Sequence, residues 1–228
     1  MTITTVFFDF GNTIAALTAS VAEIWCEVLS ERGVAADPNA VDLALHEADA
    51  ALTQVLYDSK GRMREFWSRY DAMVLQRLGI ADSGGALAAS IDRGFESPPW
   101  FRVFPETREV LDALRGRGLA LGVISNNTSD LIDTLDRIDL ARYFDHVTYS
   151  QEVRAQKPVP AVFRLALSRA GCTPTEAVHV GDSFEMDVLG ARGVGIEPIL
   201  VDREGRSPTA DCRRIRDLRE LVSLLRNF

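Results

Sequence analysis

Carboxylate, hydroxyl, amide and ammonium side chains follow several apolar segments of this sequence, at the points where those segments end. The residues concerned are Asp9, Ser125, Asn126, Lys157, Asp182 and Asp187. Carboxylate oxygens are the ligands that Mg²⁺ prefers in proteins, and lysine and serine side chains stabilise phosphate oxygens. If the fold brings these side chains together, the sequence predicts a site for a divalent cation and a phosphoryl group.

The position of Asp9 admits two interpretations. It directly follows the apolar run Val6–Phe8, which predicts a strand buried on both faces. The residues Gly11–Thr13 that come next favour a turn. Asp9 could therefore begin an ordinary loop, or it could lie at the edge of a sheet where open α/β proteins bind their ligands.

The residues from 104 onward alternate between strand and helix patterns. Strands are predicted at 119–125 ("LALGVIS"), "HVTYS", "AVHVGD" and "GIEPILVD", with helices at "PAVFRLALSRAG", "MDVLGARG" and 213–228. This order predicts an α/β fold with a doubly wound parallel sheet and right-handed crossovers. Because the carboxyl ends of parallel strands meet at one edge, the polar side chains named above are expected to lie together there.

A second pattern occupies residues 17–99. Apolar residues recur there at helical spacing over four segments, and Asp37 followed by Pro38 predicts a helix start. We therefore expect residues 1–16 and 100–228 to form the α/β core, and 17–99 to form an inserted all-helical domain.

Composition and charge exclude several function classes. The net charge of −8 argues against a nucleic-acid-binding surface, and no apolar run is long enough to span a membrane. The three cysteines (Cys26, Cys172 and Cys212) lack metal-ligand spacing and are expected to be free thiols. These features predict a cytoplasmic protein, without predicting a particular oligomeric state.

Four segments, in this order, resemble the motifs of the haloacid dehalogenase (HAD) superfamily, in its phosphatase-like branch. "FFDFGNTI" is similar to the first motif, "VISNN" to the second, "QKP" to the third and "GDSFEMDVLGA" to the fourth. The resemblance covers nearly the whole chain. It implies a Rossmann-like core with a small helical cap that opens and closes, for which Thr18 and Pro98–Pro99 are the expected hinges.

The resemblance also implies the roles of residues in hydrolysis of a small phosphorylated molecule. Asp9 would attack phosphorus and become a phospho-aspartate, while Lys157 would neutralise negative charge. Thr13, Ser125 and Asn126 would bind the substrate's phosphate.

The same resemblance implies that Mg²⁺ is the cofactor. Its expected ligands are Asp9, the backbone carbonyl of Gly11, Asp182 and Asp187, although Asp187 could instead support the site from outside the first shell of ligands.

Gly11 departs from the family pattern, because the family's phosphatases usually carry a second aspartate there. Glycine keeps the backbone carbonyl but loses the acid that protonates the leaving group, a contribution of about 10²–10⁴-fold. Three hypotheses follow. Another acid replaces it (Glu185, or His46, Asp58 or Glu65 of the cap); the enzyme uses activated phosphates; or the chain binds a phosphorylated ligand or a protein partner with little turnover.

The dehalogenase branch is a further alternative, since it also lacks that second aspartate. Those enzymes use no metal and have a less acidic fourth motif. The two aspartates in "GDSFEMD" therefore favour the metal-dependent phosphatase.

Aromatic and histidine residues give weaker signals. The side chains of Trp25, Phe66, Trp67 and Trp100 either line a cleft or form the cap's own core, and the second interpretation is favoured. His179 lies in a predicted buried strand and is interpreted as a satisfied core histidine rather than a ligand.

Overall fold

The structure is a computed structural model, described for residues 2–59, 62–96, 100–205 and 211–227. It divides into two compact units, Met1–Ala16 with Arg102–Phe228, and Leu17–Phe101. The predicted hinge at Pro98–Pro99 lies outside the described residues. At the other predicted hinge, the Thr18 amide donates a hydrogen bond to the Trp100 carbonyl at 2.8 Å. The assignment of the second unit as a mobile cap stays a prediction.

The strands and helices follow the predicted alternation. In chain order the strands are β1 (Thr5–Phe8), β2 (Ala15–Leu17), β3 (Phe101–Val103), β4 (Ala120–Ser125), β5 (His146–Tyr149), β6 (Ala177–Gly181), β7 (Glu197–Val201) and β8 (Arg213–Ile215). The helices are α1 (Val21–Ser30), α2 (Pro38–Asp58), α3 (Met63–Arg77), α4 (Ala86–Glu96), α5 (Thr107–Gly116), α6 (Asp130–Arg137), α7 (Pro160–Ala170), α8 (Gly190–Arg192) and α9 (Arg219–Leu224). In the described part of the chain, no helix combines the length and apolar character needed to cross a membrane.

The first unit is built on a six-stranded sheet of order β5-β4-β1-β6-β7-β8, while β2 and β3 form a separate two-stranded sheet. Every described pairing within the six-stranded sheet is parallel. Its central strands are fully buried because apolar residues fill both faces, with Phe7, Ile124 and Phe163 among the core residues. The predicted α/β class and parallel sheet are confirmed.

The C-terminal segment corrects one prediction. A single helix was predicted over 213–228, but Arg213–Ile215 forms strand β8 and the helix is confined to Arg219–Leu224. Strand β8 pairs with β7 at the end of the strand order, and Arg213 forms an ion pair with Glu197 at 3.1 Å. Charged side chains suit such an edge strand, whereas the helical spacing reflected only the later buried leucines, such as Leu221.

The predicted helix at "MDVLGARG" also differs in detail. The backbone makes a π-helical turn over Phe184–Leu189 before the short helix α8. Ser183 caps this turn by accepting a hydrogen bond from the Met186 amide at 3.2 Å. The wider turn is a local feature that the spacing of apolar residues does not encode.

The second unit consists of α1–α4 with its own apolar core. Ser20 and Glu23 form a capping box at the start of α1, and the Asp37 side chain caps α2 as predicted. Trp25 and Phe66 are buried in this core, with Trp67 packed against it. For these three aromatic residues, the interpretation as the unit's own core is confirmed.

Candidate active site

Strand register brings the predicted motifs to one edge of the sheet. Strand β1 lies between β4 and β6, with Phe8 opposite both Val123 and Val180. Asp9 follows directly and donates its backbone N–H to the Val180 carbonyl at 2.8 Å. The chain therefore leaves β1, β4 and β6 side by side at their carboxyl ends, as the doubly wound fold requires.

Lys157 occupies the centre of the candidate site. Its ammonium Nζ lies 2.6 Å from Asp9 Oδ1, 2.6 Å from Asp187 Oδ1 and 3.1 Å from the Ile124 carbonyl, so all three of its hydrogens have acceptors. The lysine side chain is only 3% exposed. Two buried carboxylates are therefore joined through one buried cation.

Asn126 holds the backbone of Lys157. Its Oδ1 accepts a hydrogen bond from the Lys157 amide at 2.6 Å, and its Nδ2 donates to the Lys157 carbonyl at 3.4 Å. The amide group predicted to bind substrate is thus engaged with the loop that carries the lysine. Asn126 explains how a loop residue far along the chain is fixed against the end of β4.

Asp187 is surrounded by hydrogen-bond donors. Its Oδ1 accepts from Lys157 and from His179 Nε2 at 2.9 Å, and its Oδ2 accepts from the Ser183 amide at 3.1 Å. Gly181 permits this approach, because a Cβ there would overlap the Asp187 carboxylate. With three donors in place, Asp187 is better suited to support the site than to serve as a direct metal ligand.

Sequence reasoning missed the role of His179. Its position in a buried strand was interpreted correctly, but its imidazole is not fully satisfied: Nε2 binds Asp187, while Nδ1 has no hydrogen-bond partner among the described residues. The eight-residue separation of His179 from Asp187 gave no periodic signal, since the two residues lie on different elements.

The pKa values of the two carboxylates bound by Lys157 are shifted in opposite directions. Burial raises the pKa of Asp9 to about 6, with Lys157 opposing the shift and Asp187 and Asp182 adding to it. Burial also acts to raise the pKa of Asp187, but its bonds to His179 and Lys157 outweigh burial and lower that pKa. Desolvation would lower the pKa of Lys157, yet the neighbouring Asp9 and Asp187 raise it instead. Lys157 therefore stays protonated.

The residues present fit a divalent cation. Asp9, Asp182 and Asp187 each offer an oxygen within 4.8 Å of the other two. Partial desolvation and the nearby Asp187 raise the pKa of Asp182, as expected where carboxylates crowd together without enough positive charge. One lysine cannot neutralise three carboxylates, and the oxygen-only donor set is the one that Mg²⁺ prefers. Asp9 and Asp182 retain the most capacity to bind the ion.

Two hydroxyl groups flank Asp9. The buried Thr13 hydroxyl donates to Asp9 Oδ2 over a long 3.4 Å. Ser125 is buried at the end of β4, and its hydroxyl makes no hydrogen bond to another described residue. Both hydroxyls are therefore available for stronger hydrogen bonds to a ligand.

Comparison with known proteins assigns the family. A family model described as haloacid dehalogenase-like hydrolase matches residues 3–195 of the 228-residue chain. The chain belongs to the haloacid dehalogenase-like hydrolase family. The resemblance inferred from the four motifs is thereby confirmed, and this HAD-like chain is a hydrolase.

Three similar proteins place the HAD-like hydrolase among its relatives. Haloacid dehalogenase-like hydrolase domain-containing protein 3 of Mus musculus is 31% identical over 200 residues, covering 85% of this chain and 80% of the relative. Phosphoserine phosphatase of Thermus thermophilus is 32% identical over 180 residues, covering 70% and 72% of the two chains. The crystal structure of 2-haloacid dehalogenase from Pseudomonas syringae is 25% identical, with a TM-score of 0.73 and 99% of both chains covered. The fold of this chain is therefore similar to that of a protein named as a 2-haloacid dehalogenase.

The structure of the HAD-like hydrolase also locates the acids considered as replacements at Gly11. Glu185 is exposed on the π-helical turn of the first unit. His46, Asp58 and Glu65 belong to the second unit, where His46 contacts the Asp42 carbonyl at 2.8 Å. The hypothesis that one of these four residues replaces the missing acid stays a prediction.

Proposed function

We propose that this HAD-like hydrolase is a Mg²⁺-dependent phosphatase of small phosphate esters that acts through a phospho-aspartate at Asp9. The observation that carries the proposal is the buried Lys157 ammonium, 2.6 Å from Asp9 Oδ1 and 2.6 Å from Asp187 Oδ1, beside Asp182. This arrangement holds a carboxylate in one orientation and leaves excess negative charge that a cation would balance. When bound, Mg²⁺ would neutralise charge on the phosphoryl oxygens and orient them.

The chain's own residues define the nucleophile. Lys157 holds Asp9 Oδ1, whereas Oδ2 makes, among the residues that the structure describes, only the long contact to Thr13 at 3.4 Å. We therefore assign Oδ2 as the oxygen that forms a bond to phosphorus, while the ester P–O bond breaks and its electrons leave with the alcohol oxygen. Water then attacks phosphorus in the acyl phosphate, which releases inorganic phosphate and restores the Asp9 carboxylate.

Gly11 sets the expected substrate preference. It carries no side chain to protonate the leaving oxygen, and that contribution is typically worth about 10²–10⁴-fold. Aryl or acyl phosphates, whose leaving groups are stable as anions, should therefore be hydrolysed better than alkyl phosphates. The same observation favours a second candidate function, in which the chain binds a phosphorylated ligand with little turnover.

A dehalogenase would share the fold but would not need the cation that the carboxylates of this site call for. Its chemistry needs an aspartate nucleophile and no metal, so it would leave Asp182, whose pKa is raised by desolvation and by the nearby Asp187, without a balancing cation. The relative named phosphoserine phosphatase, which matches 70% of this chain, also supports the phosphatase proposal.

Hydrolysis of an aryl and an alkyl phosphate, with Mg²⁺ or with EDTA, tests the proposal in wild type, Asp9→Asn and Gly11→Asp. An added Cβ at Gly11 would meet no described heavy atom within 4 Å, so the aspartate has room. We expect Mg²⁺-dependent turnover of the aryl phosphate that is lost in Asp9→Asn, and faster alkyl phosphate turnover in Gly11→Asp.

Other outcomes separate the alternatives. No turnover in wild type together with a gain in Gly11→Asp would indicate the ligand-binding function. EDTA-resistant release of halide from a 2-haloacid, with no phosphatase activity, would replace the proposal with the dehalogenase function.

A further inference from the structure

One arginine contacts the backbone of the loop that carries Asp9. Arg203 lies just after β7, and its Nη2 donates to the Thr13 carbonyl at 2.9 Å while its Nε lies 3.5 Å from the Asn12 carbonyl. None of the four sequence motifs includes this arginine. We call residues 9–14 the Asp9 loop.

The guanidinium of Arg203 is itself fixed from two sides. Its Nη1 donates to Glu106 Oε1 at 2.6 Å, and its Cζ lies 3.7 Å from the centre of the Phe104 ring. Arg203 is 23% exposed and Glu106 only 5%, so this ion pair is shielded from solvent. A planar cation bound by a carboxylate and stacked on a ring has lost most of its freedom before it contacts the loop. We call Phe104, Glu106 and Arg203 the loop clamp.

The next carbonyl of the Asp9 loop is held from the same direction. Ile14 O accepts hydrogen bonds from the Phe104 amide at 3.2 Å and from the Thr107 hydroxyl at 2.8 Å. The carbonyls of Asn12, Thr13 and Ile14 therefore all accept from Arg203 or from residues 104–107. All these residues belong to the first unit.

The loop needs such support at Gly11 and Asn12, although the side chains of Phe10, Thr13 and Ile14 are buried. Gly11 has no side chain, and a Cβ there would meet no described heavy atom within 4 Å, so the space beside it is open. Glycine also has more conformational freedom to lose than any other residue. Asn12 adopts a φ of 52°, in the left-handed region that non-glycine residues rarely occupy. The Arg203 contacts with the Asn12 and Thr13 carbonyls add to the hydrogen bonds that the Ile14 and Ala15 amides donate to the Phe10 carbonyl.

We propose that Arg203 is a positioning residue that holds the Asp9 loop in the conformation required for catalysis. By fixing the carbonyls of Asn12 and Thr13, it fixes the Gly11 backbone and the Thr13 hydroxyl beside Asp9. The effect on turnover rests on the proposed phosphatase function, whereas the effect on loop order does not. The two can therefore be tested separately.

The test uses the full chain and two readouts. The first is hydrogen exchange of the amides of Ile14, in the loop, and of Ala15, directly after it, which donate to the Phe10 carbonyl at 3.2 and 3.3 Å. The second is kcat and KM for an aryl phosphate with Mg²⁺. In Arg203→Gln we expect exchange of these amides to be at least about threefold faster and kcat to fall about 10–100-fold, since small misplacements of reacting groups cost this much. KM should change less than kcat.

Arg169→Gln is the matched control. Arg169 also binds a largely buried carboxylate, Glu152, at 2.6 Å and a backbone carbonyl, that of Val147, at 2.9 Å, but it lies on α7 away from the loop clamp. It should lose a comparable amount of thermal stability while leaving exchange of the Asp9 loop and kcat unchanged. In Arg203→Lys, both loop exchange and kcat should remain partly impaired. A lysine ammonium cannot reproduce the planar set of N–H donors of the guanidinium.

The outcomes are distinguishable. Unchanged loop exchange in Arg203→Gln would overturn the proposal, as would faster exchange with kcat no lower than in Arg169→Gln. If the wild type hydrolyses no phosphate ester, the proposed function fails, and loop exchange alone decides whether the clamp exists.

If Arg203→Gln does not fold, Glu106→Gln provides the test with a smaller effect in the same direction. Adding Gly11→Ala to Arg203→Gln should recover part of the exchange protection, because alanine restricts the freed backbone.

Discussion

His179 and Asp187 form a buried pair beneath the candidate active site, with Nε2 and Oδ1 2.9 Å apart. The histidine is fully buried, and the Phe163 ring packs edge-on against it at 5.3 Å between ring centres. Because Asp187 Oδ1 also accepts from Lys157, which in turn donates to Asp9, the orientation of the nucleophile depends on a chain of contacts that begins in β6.

Replacing His179 should therefore affect both stability and activity. His179→Leu leaves the buried Asp187 carboxylate with one donor fewer, and we expect a loss of about 1–3 kcal/mol in the free energy of unfolding. His179→Gln, which keeps a donor, should lose less and retain more phosphatase activity. Urea unfolding followed by circular dichroism measures the first effect, and His146→Gln, at a half-buried histidine of β5, is the control. Equal losses in the Leu and Gln variants would show that packing, not the hydrogen bond, is what matters.

Removing the Lys157 ammonium should destabilise the protein more than replacing His179. Lys157→Met leaves the buried carboxylates of Asp9 and Asp187 facing each other, and breaking a buried ion pair from one side typically costs about 3–5 kcal/mol. We expect Mg²⁺ to recover part of this stability, because a cation can replace the missing positive charge. Thermal unfolding of wild type and Lys157→Met with and without Mg²⁺ measures the difference. If Mg²⁺ stabilised both proteins equally, the cation would not be replacing the positive charge that Lys157→Met removes.

The fold, and the meeting of the candidate site residues at one edge of the sheet, could be predicted from the sequence because their signals are local. Apolar runs such as that before Asp9 identify buried strands, and a parallel sheet then brings the strand ends together. The contacts of His179 and Arg203 could not be predicted in this way, since each joins segments whose proximity depends on the tertiary fold. The strand at Arg213–Ile215 was missed for a related reason: its pairing with β7 outweighs a helical pattern that extends over neighbouring residues.

Gly181 should not tolerate a side chain. A Cβ there would lie 2.6 Å from Asp187 Cβ and closer still to its carboxylate, so Gly181→Ala must displace Asp187 and with it Lys157. We expect a loss of about 1–3 kcal/mol in stability, as for other overpacked cores, together with a marked loss of phosphatase activity. Gly116→Ala is the control, since a Cβ at Gly116 would meet no described atom within 4 Å. Full activity in Gly181→Ala would show that Asp187 can move without disturbing the site.

We expect Asp71 to make the stability of the second unit depend on pH. It is buried in α3, its Oδ2 has no partner among the described residues, and burial together with the nearby Asp92 raises its pKa to about 8. The unfolded chain should release this proton near pH 4. Between about pH 4 and 8 the folded state therefore binds more protons than the unfolded state, so this group's contribution to stability falls as pH rises and levels off above pH 8.

Asp71→Asn should remove that dependence. At pH 8 we expect the variant to be more stable than wild type by on the order of a few kcal/mol, with the difference shrinking towards pH 4. The three tryptophans (Trp25, Trp67 and Trp100) all lie in the second unit, so their fluorescence during urea unfolding reports on that unit. Glu27→Gln, at an exposed position of α1 in the same unit, should show little pH-dependent difference. A constant difference between Asp71→Asn and wild type from pH 4 to 8 would mean that Asp71 is already ionised in the folded protein.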